Sequence, residues 1–154
     1  MSSPALETRE LTIRFGGHIA VNAVSCAFYP GTLTAVLGPN GAGKTTYFNL
    51  ISGQLRASSG SVRVHGQDVV LEAAAVRRRL GWMPDHFSSY RRMTVAEYLD
   101  FFAAAYGLAT AERERTVGDV LALVDLGGRR DGLIGGLSRG MQQRLALARV
   151  LVHD

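Results

Sequence analysis

The stretch GPNGAGKTT at 38–46 sets glycines at 38, 41 and 43, a lysine and two threonines between an apolar run and a helix-forming run. Gly38, Gly43, Lys44 and Thr45 meet every fixed position of the pattern GxxxxGK[ST]. Such glycines let the backbone curl until successive N–H groups point at one oxyanion, a path that Cβ atoms at those places would obstruct. Pro39, Asn40, Gly41 and Ala42 make up the rest of the loop, and the helix expected to start there turns its positive end toward the same point. The implied ligand is a nucleoside triphosphate: Lys44 reaches the β and γ phosphates, Thr45 offers its hydroxyl to Mg²⁺, and Thr46 bonds the α-phosphate. Among seventeen basic side chains Lys44 is the one lysine, a compact point charge in a chain that otherwise uses arginine.

Kinases, GTPases and ATPases all use such a loop, so discrimination has to come from elsewhere. It comes from LSRGMQQR at 137–144, where Ser138 and Gly140 stand at the start of a helix-like run, QQRLALARVLVHD. Free N–H groups at that helix start form a second place for an anion.

Two kinds of element must hold these loops. Up to residue 84 the chain reads as short strands: LTIRF (11–15), IAVNAVSCAFY (19–29), LTAVLG (33–38) and SVRVHG (61–66), bounded by Gly-Gly, Pro-Gly and Ser-Ser-Gly. One early helix follows Gly43. Beyond residue 84 the periodicity becomes helical. Thr94 with Glu97 forms a capping box ahead of VAEYLDFFAAAYG, closed by Gly107. A second helix spans about 111–126, with Glu112 and Glu114 near its start and Gly127-Gly128 at its end, and a third starts near Ser138. The class is α/β with a helical subdomain: residues 1–84 carry the nucleotide-binding core and a β subdomain, and 85–154 the helical part.

The 154 residues, 47% hydrophobic and 19% charged, suffice for one globular core. The start MSSPALETRELT lacks a basic segment followed by an apolar one, and FFAAAYGLA is too short to span a bilayer; the expectation is a soluble, cytoplasmic chain. The net charge of +4 comes from scattered arginines without interleaved aromatics, which argues against a nucleic-acid partner. Cys26 is the only cysteine and is expected to be a buried structural thiol.

With both motifs in place the chain resembles the ATPases of ATP-binding cassette (ABC) transporters along its whole length. The resemblance implies a P-loop core, with a parallel sheet and an antiparallel β subdomain, that hydrolyses ATP to drive a membrane permease. It makes Phe15, in RFGG, the aromatic that stacks on adenine, and marks Asn40 as the cassette form of the loop. Ser138 and Gly140 would contact the γ-phosphate of a nucleotide held by a second copy, in a head-to-tail dimer with ATP at the joint. The permease would be met around 85–92, placing the protein at the inner face of the cell membrane. A soluble cassette ATPase without a permease, and a nucleotide-binding fragment that does not hydrolyse, stay open beside this reading.

Several positions depart from the family pattern. Asp85, in LGWMPDHF, stands where members commonly have a glutamine near Mg²⁺ and the attacking water; as an acid it can ligate the metal through water. His86 beside it reads as a plain loop residue. Arg139 and Met141 replace commoner signature residues, in a form like exporter cassettes, whereas FGGHIAVNAVS and TTYFNLISGQL look like branched-chain amino-acid importers. The likeness changes over between Gln67 and Arg79. In the family an apolar strand ending in Asp and Glu follows the signature helix, the Asp holding Mg²⁺ and the Glu polarising water. The sequence stops at Asp154, ahead of that strand. The expectation is a truncated cassette that is poorly stable when expressed alone.

Overall fold

Two long strands, β1 (Leu6–Phe15) and β2 (His18–Phe28), are joined by a two-residue turn in which Gly16 sits at φ 58°, a conformation that suits glycine and closes a tight hairpin. The computed structural model describes residues 3–83 and 90–152. Two compact units emerge, Met1–Leu80 and Gly81–Asp154.

In the first unit β1 is central. It pairs antiparallel with β2 on one side and with β3 (Ser59–Val64) on the other, and β3 pairs with the short β4 (Gln67–Asp68), giving the order β2-β1-β3-β4. The β1–β2 register slips between Thr8 and Leu11, Leu11 and Ile13, and Ile13 and Arg14, and Glu10 and Ala23 take φ values of 46° and 48°. A slip of this kind strands ladder amides, which need other acceptors. Hydroxyls supply them: Cys26 N–H donates to Thr8 Oγ1 (3.0 Å), Ala23 N–H to Thr12 Oγ1 (2.9 Å), Glu10 N–H to Ser25 Oγ (2.9 Å) and Arg14 N–H to Ser58 Oγ (3.0 Å). Thr8 and Thr12 are therefore buried polar residues with a purpose.

The apolar face of this sheet, Leu11, Ile13, Val21, Val62 and Val64, is covered by Tyr47 and Leu50 of α1 (Lys44–Ile51), and by Val69 and Val76. Val76 belongs to α2 (Ala73–Arg77). The run LTAVLG is not a strand. Among the described residues no strand pairs with it, so its backbone has no ladder, and Leu33 and Leu37 are 101% and 88% exposed. The described sheet is thus the antiparallel part of the expected α/β arrangement; the parallel pairing expected for 33–38 is absent from the described residues. Cys26, expected to be buried, is exposed. It lies with Val24, Phe28, Val36 and Tyr47 on an apolar hollow that stays open to solvent on that side of β2.

The second unit is helical. In α3 (Val95–Ala105) the buried Val95, Tyr98, Leu99 and Ala103 recur at one-face spacing. They pack on Val117, Val120 and Leu121 of α4 (Thr110–Leu123) and on Leu145 and Ala148 of α5 (Arg139–Leu151), with Ile134 and Val152 completing the core. Among the described residues no helix is long and apolar enough to cross a membrane. The helix expected to run to about 126 ends at Leu123, because Asp125 turns left-handed at φ 56°. Arg144 of α5 then donates to the Val124 and Asp125 carbonyls (3.4 and 3.1 Å) and to the Asp125 carboxylate (3.0 Å), satisfying a helix end that glycine was expected to close.

The capping box is present. Glu97 N–H donates to Thr94 Oγ1 (3.2 Å) and Thr94 N–H to Glu97 Oε2 (2.7 Å). The next two amides are also taken, Val95 N–H by the Gly132 carbonyl (3.0 Å) and Ala96 N–H by the Arg130 carbonyl (2.9 Å). Thr94→Ala should lower the unfolding free energy by about 1 kcal/mol in urea titrations. The bond from the Thr94 backbone N–H holds the Glu97 carboxyl below its ordinary value. A depressed carboxylate adds stability above its unfolded value, near 4.5, and loses it as the pH falls through its folded value. Glu97→Gln should flatten that acid-side slope.

Candidate functional site

Helix α1 opens on Gly43, at φ 85°, with no side-chain cap. Within the loop Ala42 N–H donates to the Pro39 carbonyl (3.2 Å), and Tyr47 N–H returns to the Gly43 carbonyl (2.8 Å). The N–H groups of Gly41, Gly43, Lys44, Thr45 and Thr46 have no acceptor among the described residues. A helix start with its orphan amides left open and no carboxylate in its first turn is an anion seat.

Lys44 closes the loop from within. Its Nζ donates to the carbonyls of Gly38 and Pro39, both at 2.8 Å, so the ammonium lies across the mouth of the curl. Gly43 is fixed by a close approach as well as by its torsion: a Cβ there would sit 2.3 Å from the Ala20 carbonyl oxygen of β2. Gly41, at φ 84°, has open space around it, and a Cβ on Gly38 would meet the Ala42 methyl at 3.3 Å.

Asn40, Gly41, Gly43, Lys44, Thr45 and Thr46 share an open hollow of about 580 Å³ with Phe15, His18 and Ala20. The structure thus brings Phe15, at the end of β1 and half exposed, to the same hollow as the phosphate loop. A triphosphate fits these donors: open amides, one ammonium and two hydroxyls, with no described acid among the lining residues to repel it. Mg²⁺ fits as a cation held by the Thr45 hydroxyl and the phosphates themselves, since it keeps several waters and needs few protein ligands. Among the described residues no cluster of acids, histidines or cysteines forms a metal site by itself. Asp85 and His86 lie outside the described residues.

Ser138 and Gly140 belong to the other unit, at the start of α5. Ser138 is the N-cap; its Oγ accepts from Met141 N–H at a long 3.4 Å, and its carbonyl accepts from Gln142 N–H at 2.9 Å. The Arg139 and Gly140 amides have no partner among the described residues, and a Cβ on Gly140 would meet nothing within 4 Å. The start of α5 is therefore open, in contrast to the closed start of α3. Arg149 on the same helix donates to the Trp82 carbonyl (3.1 Å) and stacks over the Phe102 ring at 5.2 Å, fixing the chain three residues ahead of Asp85.

Sequence reasoning passed over His18. Its signal is positional: across a two-residue turn, the residue after the glycines faces the residue before them, so a side chain opposite a candidate base-stacking aromatic lies at the same hollow.

Comparison with known proteins agrees with this geometry. The family described as ABC transporter matches residues 21–154. The probable multidrug ABC transporter ATP-binding protein YbhF of Escherichia coli (strain K12) is 36% identical over 149 residues, covering 97% of this chain and 26% of that protein. The methionine import ATP-binding protein MetN 2 of Burkholderia mallei is 39% identical over 143 residues, covering 90% of this chain and 36% of its own length. The chain thus spans well under two thirds of these relatives. Among solved structures, cbiO1 from Clostridium perfringens, part of the ABC transporter complex cbiONQ, superposes with a TM-score of 0.87 at 25% identity, over 99% of this chain and 62% of that one. A phosphate loop with open amides, a second open helix start behind the sequence LSRGM and the match along 21–154 lead to one assignment: the chain belongs to the ABC transporter ATP-binding cassette family.

Proposed function

We propose that this chain supplies the ATP-binding part of an ABC transporter ATPase. The observation that carries the reading is the phosphate loop, whose five open amides and single ammonium converge on one hollow. In this reading the amides of Gly41, Gly43, Lys44, Thr45 and Thr46 hold the β-phosphate, with Gly38, Pro39, Asn40 and Ala42 shaping the curl. Lys44 moves its donors from the loop carbonyls to the β and γ oxygens and stabilises charge that grows there during phosphoryl transfer. Thr46 takes the α-phosphate, and Phe15 stacks on adenine. Thr45, with Asp85 acting through water, would hold magnesium beside the phosphates, where the ion would supply charge neutralisation for the transferring group.

Ser138 and Gly140 serve a different nucleotide, that of a second copy, through the open amides at the start of α5. A head-to-tail dimer follows from that division of labour, with the permease met around 85–92 and the protein held at the cytoplasmic face of the membrane. Residues 1–84 act as the nucleotide core and β subdomain, and 85–154 as the helical subdomain. The carboxylates that hold the metal and polarise water are assigned to the strand that follows the signature helix in full-length cassettes.

Gly140→Asp tests the dimer. The added carboxylate has room, so folding is expected to be unaffected, but it sets negative charge where the γ-phosphate would arrive. Turnover of ATP by the full-length protein should fall about a hundredfold, with ATP binding to a single copy held within about twofold in equilibrium dialysis. Unchanged turnover would remove Gly140 from the site.

A further inference from the structure

Phe15 and His18 are direct partners in the β1–β2 ladder, one on each side of the Gly16-Gly17 turn. Directly opposed residues of an antiparallel pair project to the same face, with Cβ atoms about 4.5–5.5 Å apart. Both are exposed, and both line the hollow that holds Lys44, Thr45 and Thr46. Two residues on, Ala20 points to that same face, also lines the hollow, and carries the carbonyl against which Gly43 is packed. One face of β2 therefore runs from the phosphate loop, past Ala20, to His18 at the hairpin tip.

We infer that His18 is a specificity residue of the nucleotide site, meeting the base that stacks on Phe15. The inference rests on the proposed function, since it needs a triphosphate on the loop to set the direction of the base. An imidazole suits the task. It offers one N–H donor and one acceptor in a flat ring, so it can bond the edge of a purine while Phe15 covers the purine's face. No acid lines this hollow among the described residues, so the ring nitrogens are left for the ligand. Because His18 reads the base and not the phosphates, its contribution belongs to ATP and is missing from a ligand made of phosphate alone.

Two probes on the full-length protein test this: ATP and inorganic tripolyphosphate, each titrated calorimetrically against wild type, His18→Ala and Lys44→Ala. His18→Ala should bind ATP about tenfold more weakly with tripolyphosphate unchanged, and His18→Gln, which keeps a donor and an acceptor, should recover part of the loss. Lys44→Ala should weaken both ligands. Wild-type affinity for ATP in His18→Ala would overturn the inference, as would an equal loss for tripolyphosphate. If Lys44→Ala weakens neither ligand, the phosphate-site reading itself falls, an outcome distinct from a failure at His18 alone.

Discussion

Lys44→Ala should weaken ATP binding by about a hundredfold, because it removes a charge-assisted donor worth about 1.5–3 kcal/mol from a site of otherwise neutral donors. The fold should hardly notice. The bonds from Nζ to the Gly38 and Pro39 carbonyls are solvent-exposed, so water replaces the lost donor, and the thermal midpoint should move by no more than about a degree or two. Equilibrium dialysis with labelled ATP, paired with calorimetric unfolding, reads both quantities. Undiminished affinity would mean that the loop does not bind phosphate. Lys44→Arg should not rescue, since a planar fork on a bulkier stem does not fit the curl that the compact ammonium spans.

Gly43→Ala should be strongly damaging to the first unit, and in a different way. An L-residue at φ 85° costs about 1–2 kcal/mol. Its Cβ would also lie 2.3 Å from a backbone oxygen of β2, which forces the loop off the sheet at a further cost of about 1–3 kcal/mol. Stability and ATP binding should fall together, because the open amides of α1 are aimed by that same contact. Gly41→Ala is the control: it meets the torsional penalty at φ 84° with free space around the methyl. Its loss of stability should be about half as large or less. Equal losses in urea unfolding would show that the approach to Ala20 does not matter.

What was legible in the sequence was local. The helix start after Gly43, the Thr94–Glu97 capping box and the Gly-Gly boundary after Phe15 are written in residues a few positions apart, and each is present in the structure. What was not legible depends on distant partners. LTAVLG has strand composition, but a strand is made by the neighbour that bonds it, and no such neighbour is found among the described residues. β1 starts at Leu6, ahead of the strand expected at 11–15, because register slips break the alternation of LETRE and hide Thr8 and Thr12. The end of α4 is satisfied from α5 by Arg144, nineteen and twenty residues away, and not by the Gly127-Gly128 pair expected to close it. The exposure of Cys26 likewise depends on what covers β2, which its neighbours in sequence do not tell.

The closed start of α3 carries a mechanical consequence. Its amides are bonded by the carbonyls of Arg130 and Gly132, Ile134 N–H donates back to the Met93 carbonyl (3.0 Å) and Gly135 N–H to the Arg91 carbonyl (3.1 Å), and Thr94 forms a bridge with Leu133. Residues 91–96 and 130–135 are therefore sewn together as a short ribbon, so that opening either segment breaks bonds to the other. Ser138 lies three residues beyond the last stitch. The strap that keeps the start of α3 shut therefore ends next to the start of α5, which it leaves open.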